Sequence, residues 1–551
     1  MSPCPRATVR RWTLRPATAV MLLALLLAGC TPGGHDAPAT DAAARIRADV
    51  QVLADDRMQG RLTGTPGYNR AARYVAVRMR RTGLAPAGDT GYFQRVRLQG
   101  SQAVTGRARL AVHAGGHTVR LAPGRDVLPA PGFEAVVSLA GVPAVFAGRG
   151  VHAPALGHDD FAGIDVDGKA VLLLAGAPAR FEPDVRAFFG ATDTKLQELA
   201  RRGAVAAVFL RTPADEAALP WSRLADLLQR PAMRLADSSA SPLRAVMHVR
   251  ADSVDALLAG TGHTLARLTA ERGARNPPAL ELPVRLDLAA VSRLAPVDSV
   301  NVVGRLPGSN PRAGGRVAVT AHLDHLGMAT AGDDRVFNGA IDNALGVAVM
   351  LEGARQMAGA GAPARDTVFV ALTGEEQGLL GAKAFVQDAP QGSLVANLNL
   401  DMPLLLVPTR DVGVVGAGRS QLGDHLREAA TGMGVHLTRE PRGAQDAFVR
   451  SDQFAFVRQG VPALYLAGGT DASHGDDAAA ARAAFMRERY HRPGDDTGQA
   501  IAWNDAARLA RLVARTAASV ADAPRAPAWR EGDFFGGRFA GTASLESPTA
   551  P

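Results

Sequence analysis

Four acidic or imidazole-bearing runs in the second half of the chain each follow a short apolar stretch or open a helix. A-H-L-D-H, Ala321 to His325, follows Val317 to Thr320, whose small and β-branched residues read as a buried strand. An imidazole at a strand end, with a carboxylate two residues on to orient it, is a usual way to present a metal-binding histidine. Asp342, in N-G-A-I-D-N-A-L-G, precedes a helical pattern over 343–356. A carboxylate there gains from the helix dipole, as a cation ligand or as a simple N-cap. T-V-F-V-A-L, 367–372, runs into T-G-E-E-Q-G with Glu375 and Glu376, and the apolar run 395–400 closes on Asp401. Neighbours in sequence point apart, so one glutamate can hold metal while the other addresses a substrate. Further on, Y-H-R-P-G-D-D sets Tyr490 and His491 in a loop before a helix over 502–520. In an open α/β sheet, ligands gather beyond the carboxyl ends of the strands. Two histidines and three carboxylates gathered there form a nitrogen–oxygen donor set suited to two zinc ions sharing an aspartate and a water.

The elements that must position these residues occupy a long chain. Its 551 residues, 47% hydrophobic, suggest two or more domains with ample core. Residues 1–29 read as a signal peptide, with Arg6, Arg10, Arg11 and Arg15 before an apolar stretch too short to span a bilayer. The stretch ends in L-A-G-C, Leu27 to Cys30, which resembles a bacterial lipoprotein cleavage box. Cys30 would then be the lipidated first residue, anchoring the protein to a membrane of the cell envelope and facing the periplasm or exterior. The other cysteine, Cys4, lies in the leader, so no disulfide is expected. The formal charge of +8 falls to +4 without the four leader arginines, and no basic–aromatic cluster points to nucleic acid. Residues 30–43 read as a Pro/Gly/Ala-rich tether, and 523–551 as a tail.

A compositional shift near Pro131 opens a β-rich stretch with a strand over 170–174, a helix over 195–202 and a second buried strand over 203–210. With A-G-R-G-V-H-A-P, Ala147 to Pro154, before it, this unit resembles the protease-associated domain, taken as residues 134–278. The remainder, 44–133 and 279–522, is expected to be an α/β domain with a mixed, mostly parallel sheet flanked by helices.

The series A-H-L-D-H, I-D-N-A-L-G, T-G-E-E-Q-G, N-L-D-M and Y-H-R-P-G-D-D resembles the co-catalytic two-zinc aminopeptidases of metallopeptidase family M28, in which such an insert also occurs. The resemblance implies a zinc-exopeptidase fold. It makes His322, Asp342, Glu376, Asp401 and His491 the ligands of two zinc ions, with Asp342 bridging. Glu375 becomes the general base, Asp324 the carboxylate orienting His322, and Tyr490 a donor to the tetrahedral intermediate. It also implies a cis peptide between Asp342 and Asn343. S-D-Q-F-A-F, Ser451 to Phe456, is similar to a family segment near the pocket, whereas Ile341 and Leu345 depart from the family pattern. His325 and His474 match no ligand position and are expected to be structural or to support the ligands. The implied reaction is hydrolysis of amino-terminal residues from peptides by a hydroxide shared between the zincs. The competing readings are a carboxypeptidase-like member, which would need Arg442, Arg450 or Arg458 near the zincs, a one-zinc glutaminyl-cyclase-like acyltransferase and an inactive scaffold.

Overall fold

A computed structural model describes Met1 and residues 39–541 except 240, 271–278, 440–446 and 474. The leader with Cys30, His474, Arg442 and the last ten residues therefore lie outside the described residues. Among those described, no helix is long and apolar enough to cross a membrane.

The expected tether gives way early. The first helix is Ala39–Leu53, because Ala42, Ala43 and Ile46 are all buried and already share one packed face. Two sheets follow, joined by one 27-residue strand, Leu280–Leu306. Its second part pairs antiparallel with Phe93–Ala103 and Asp366–Leu372. Beyond these lie Arg316–His322, Leu394–Leu400 and Ala463–Gly468 in parallel, then Asp411–Val415 antiparallel to the last. The fold is thus α/β, with a mixed sheet whose centre is parallel.

Alternation along the central strands sends side chains to two cores. Val317, Val319 and Ala321 face helices Ala39–Leu53, Gly346–Ala360 and Trp503–Asp522. Ala318 faces the other way, toward Ala382, Phe385 and Phe456 on the helices Leu380–Asp388 and Gln453–Val457. Helices cover both faces, which a parallel sheet requires.

The first part of the long strand pairs with Arg109–Ala114 and Val136–Phe146. Parallel strands Ala170–Leu174, Ala206–Leu210 and Ala245–Val249 continue that second sheet. It takes in residues on both sides of the expected 134–278, with Arg109–Ala114 before it and, after it, Leu282, Val284, Leu286, Leu288 and Ala290 alternating inward along the first part of the long strand. The expected tail is also structured in part. Trp529, Phe534, Phe535 and Phe539 pack with Phe188 and Phe189 of helix Pro183–Gly190 and with Phe448 and Phe454.

Candidate metal centre

Three parallel strands deliver the donors to one end of the sheet. His322 is the last residue of its strand and is level with Leu372, two residues before Gly374 and the Glu375–Glu376 pair. Thr320 is level with Asn399, so His322 and Asp401 emerge side by side. His322 Nε2 lies 2.9 Å from Asp401 Oδ1 and 3.3 Å from Asp342 Oδ1. Asp342 reaches this point from a wide, irregular turn, Ala340–Leu345, whose Asp342–Asn343 peptide is cis as expected. The helix itself begins only at Gly346, later than the pattern suggested. Asn343 straps the turn to the end of the Asp401 strand. Its Nδ2 donates to the Leu400 carbonyl (2.9 Å), while its Oδ1 accepts from the amides of Gly346 and Met402.

The second oxygen of Asp342 faces another imidazole. His491 Nε2 is 3.3 Å from Asp342 Oδ2 and 3.3 Å from Glu376 Oε2. Glu376 Oε1 instead meets His325 Nδ1 at 2.8 Å, in a hydrogen bond that turns Oε2 toward His491. The donors fall into two groups, His322 with Asp342 and Asp401, and His325 with Asp342 and Glu376, so that Asp342 is common to both and His491 stands beside the second. Four-coordinate zinc with bonds of about 2.0–2.1 Å holds neighbouring donors about 3.3–3.4 Å apart. Three of the four spacings quoted between expected ligands match that edge, and the donor types suit zinc, so the residues fit the ions. The 2.9 Å contact is a hydrogen-bond length.

Asp324 is fully buried but acts differently from expectation. The hydrogen bond to His322 Nδ1 is accepted by its backbone carbonyl at 3.1 Å, while its carboxylate lies 4.0 Å away. That carboxylate accepts the backbone N–H groups of Glu375 (3.1 Å) and Glu376 (3.3 Å), so it fixes the glutamate pair.

Electrostatics favour added positive charge here. Burial would discharge His491, but Asp342 and Glu376 hold it at about 10. Burial likewise opposes a charged His322, yet Asp401 and Asp342 keep it well above its ordinary value. Glu376 falls to about 2 despite burial and the nearby Asp342, because His325 and His491 stabilise its charge. Glu375 behaves oppositely. Burial pushes its carboxyl well up, and Asp401, Asp452 and Glu376 add like charge that His322 only partly offsets. Burial and the carboxylates of Asp342, Glu376, Glu375 and Asp401 push the Tyr490 phenol up, so it stays protonated, with its ring stacked 3.8 Å from that of His491.

Several participants were not assigned from sequence. Asp495, in the same D-D run as His491, accepts the N–H groups of Ile341 (2.9 Å) and Asp342 (3.0 Å). Arg61 is fully buried against carbonyls of both donor loops. Asp452, in the S-D-Q-F segment, is fully buried, and neither carboxylate oxygen has a hydrogen-bond partner among the described residues. Its neighbours in that segment, Ser451 and Gln453, receive Asn399 Nδ2, which places it beneath the central strands. His325, expected to be structural or to support the ligands, lies 2.8 Å from Glu376 and within reach of a metal shared with Asp342 and Glu376. Arg458 is committed elsewhere, donating to Gln197 of the second sheet's helices.

Residues 301–517 match the model described as Peptidase family M28. Among solved structures, an aminopeptidase from Aneurinibacillus sp. strain AM-1 is 18% identical, aligned over 86% of this chain and 92% of its own, at TM-score 0.48. The zinc aminopeptidase BSAP from Bacillus subtilis is 19% identical over 86% and 94%, at TM-score 0.42. A peptidase M28 precursor from Shewanella amazonensis SB2B is 18% identical over 88% and 97%, at TM-score 0.40. No curated protein sequence matches.

Proposed function

From a chain whose residues 301–517 form a peptidase family M28 domain, we propose a two-zinc aminopeptidase that removes single residues from the amino end of short peptides. The observation that carries this reading is the bridging posture of Asp342, whose two oxygens face His322 and His491 at 3.3 Å each. His322, Asp342 and Asp401 would hold one ion, and Asp342, Glu376 and His491 the other. Zinc bound there would supply Lewis-acid polarisation of the scissile carbonyl and a water of lowered pKa.

The chain's own groups do the rest. Glu375, half-buried and held by its backbone on Asp324, takes a proton from the attacking water and returns it to the leaving amine. Its raised proton affinity suits the second task. Tyr490, kept protonated, donates to the oxyanion that forms on the carbonyl. A free α-amino group has a reference pKa near 8 and is drawn to the carboxylates of Glu375, Glu376 and Asp401. A terminal carboxylate is repelled by them. The second sheet is read as the protease-associated domain, and the mature chain as anchored through Cys30 in the bacterial envelope.

The test uses the mature, zinc-loaded protein with an aminoacyl p-nitroanilide, its N-acetyl counterpart and a chelator. Only the free amine should be cleaved, with loss of activity on chelation and recovery with zinc. Glu375→Gln should keep its zinc and lose about 10²–10⁴-fold in kcat. Equal cleavage of the acetylated substrate would overturn the aminopeptidase reading, and turnover unaffected by full zinc removal would overturn the metal mechanism.

A further inference from the structure

Arg61 is the largest polar side chain shut entirely away from solvent near the metal centre, and among the described residues it has no ion-pair partner within 4.0 Å. Its guanidinium is spent on carbonyls. Nε donates to Leu323 (2.9 Å), Nη1 to Leu53 and Asn338 (2.6 Å each) and Nη2 to Gly339 (2.9 Å). Leu323 adjoins His322, and Asn338 with Gly339 opens the turn that carries Asp342. One planar cation therefore spans both donor loops, from a short segment more than 250 residues earlier in the chain.

The same segment is knitted to these loops along its backbone. Gly60 accepts the N–H of Gly327 (2.9 Å), and the Arg61 carbonyl that of His325 (3.3 Å). Gly60 has a left-handed φ of 63° and lies so close that a Cβ there would sit 2.1 Å from the Gly327 oxygen. Asn338 Nδ2 closes the joint by donating to Ala54 O and Asp56 Oδ1. On the far side, Asp495 holds the amides of Ile341 and Asp342. The turn that carries the bridging aspartate is thus gripped by a cation on its carbonyls and by a carboxylate on its amides.

We propose that Arg61 is a positioning residue of the metal centre, whose guanidinium fixes the His322 and Asp342 loops at the spacing that two ions require. The proposal rests on the two-zinc reading for its ligands and goes beyond it in assigning the amino-terminal segment a part in metal binding. A lysine cannot reproduce the grip, because one ammonium cannot reach three carbonyl clusters in a plane. Residues that orient metal ligands typically change metal affinity by about 10–100-fold when replaced.

The experiment compares the parent, Arg61→Lys and Asn338→Ala as full chains. Zinc content is measured by elemental analysis after dialysis against graded chelator, and melting temperature with and without zinc. Arg61→Lys is expected to bind zinc about 10–100-fold more weakly and to gain less in melting temperature when zinc is added. Asn338→Ala, which loosens the segment but keeps the guanidinium, should melt earlier with zinc affinity closer to the parent. If Arg61→Lys binds zinc as the parent does and merely melts earlier by the same amount with and without zinc, the role is structural and the proposal fails. Should the variant not fold, hydrogen exchange of the parent decides. Zinc should slow exchange at residues 56–62 together with 323–327 and 338–344, and no zinc effect at 56–62 overturns the proposal. Failure of the two-zinc reading is distinct, since the parent itself would then bind fewer than two zinc ions per chain.

Discussion

Replacing Asp324 with asparagine should damage turnover without removing a metal ligand. The carboxylate accepts two backbone N–H groups, from Glu375 at 3.1 Å and Glu376 at 3.3 Å, in a fully buried position. Asparagine keeps one acceptor and turns an NH₂ group toward the other amide. The variant loses one charge-assisted hydrogen bond, worth about 1.5–3 kcal/mol, and leaves a buried donor unsatisfied at about 1–3 kcal/mol. A combined bias of about 3–4 kcal/mol against the native turn lowers its population by about 10²–10³-fold, at about 1.4 kcal/mol per tenfold. Steady-state kinetics on a free-amine aminoacyl p-nitroanilide should show that loss mainly in kcat, with circular dichroism unchanged. Zinc should be retained at the His322 side, where the backbone carbonyl of residue 324 still meets Nδ1. If kcat stays within about threefold of the parent, the carboxylate does not hold the glutamate pair, and the arrangement of the catalytic turn must be explained otherwise.

Three further outcomes follow from the structure. Glu352 is desolvated, which favours its neutral form, but hydrogen bonds from Arg45, Arg355 and Gln356 outweigh this and hold it at about 2. Since the unfolded value is near 4.5, its stabilisation is full above that pH and fades as pH falls toward 2. With allowance for the partly exposed arginines, urea unfolding should show the parent losing about 2 kcal/mol more than Glu352→Gln as pH falls through that window, and parallel curves would refute it. Phe535→Ala should cost about 3–5 kcal/mol, because its ring is fully buried among Phe188, Phe448 and Phe454; a loss below about 1 kcal/mol in chemical unfolding would show that the joint tolerates a gap. Cys30→Ser should move the protein from the membrane to the soluble fraction, and an unchanged membrane fraction would remove the lipid anchor from the reading.

What was legible in the sequence was local. Short apolar runs ending in His322, Glu375 and Asp401 announced parallel strand ends, because burial on both faces leaves few other places for such residues. The Asp342–Asn343 cis peptide was also anticipated. Arg61 and Asp495 escaped because they act on backbone carbonyls and amides, and such bonds leave no side-chain pattern in the sequence. The orienting role expected of the Asp324 carboxylate was displaced by its own carbonyl, a choice that depends on where a distant turn lies. The phenylalanines of 534–539 read as tail because their partners, Phe181 to Phe189, lie some 350 positions away. The long strand was hidden by Pro283 and Pro296, although its inward alternation runs on past the first of them.

That strand governs the order in which the molecule can be assembled. Ala103 must find Ser292, and Phe93 must find Val302, across about two hundred intervening residues. At equilibrium so long a closure is mild, since each doubling of loop length adds only about 0.6 kcal/mol. Kinetically it is severe, because pairings this distant in sequence form late. The intervening residues have a buried core of their own, which can condense first and draw the two ends together. By contrast, strands 316–322, 366–372 and 394–400 are neighbours in sequence and in space. Three of the five expected ligands, His322, Glu376 and Asp401, can therefore be brought together before the strands on the far side of Asp366–Leu372 are in place, so that metal capture can precede completion of the walls around it.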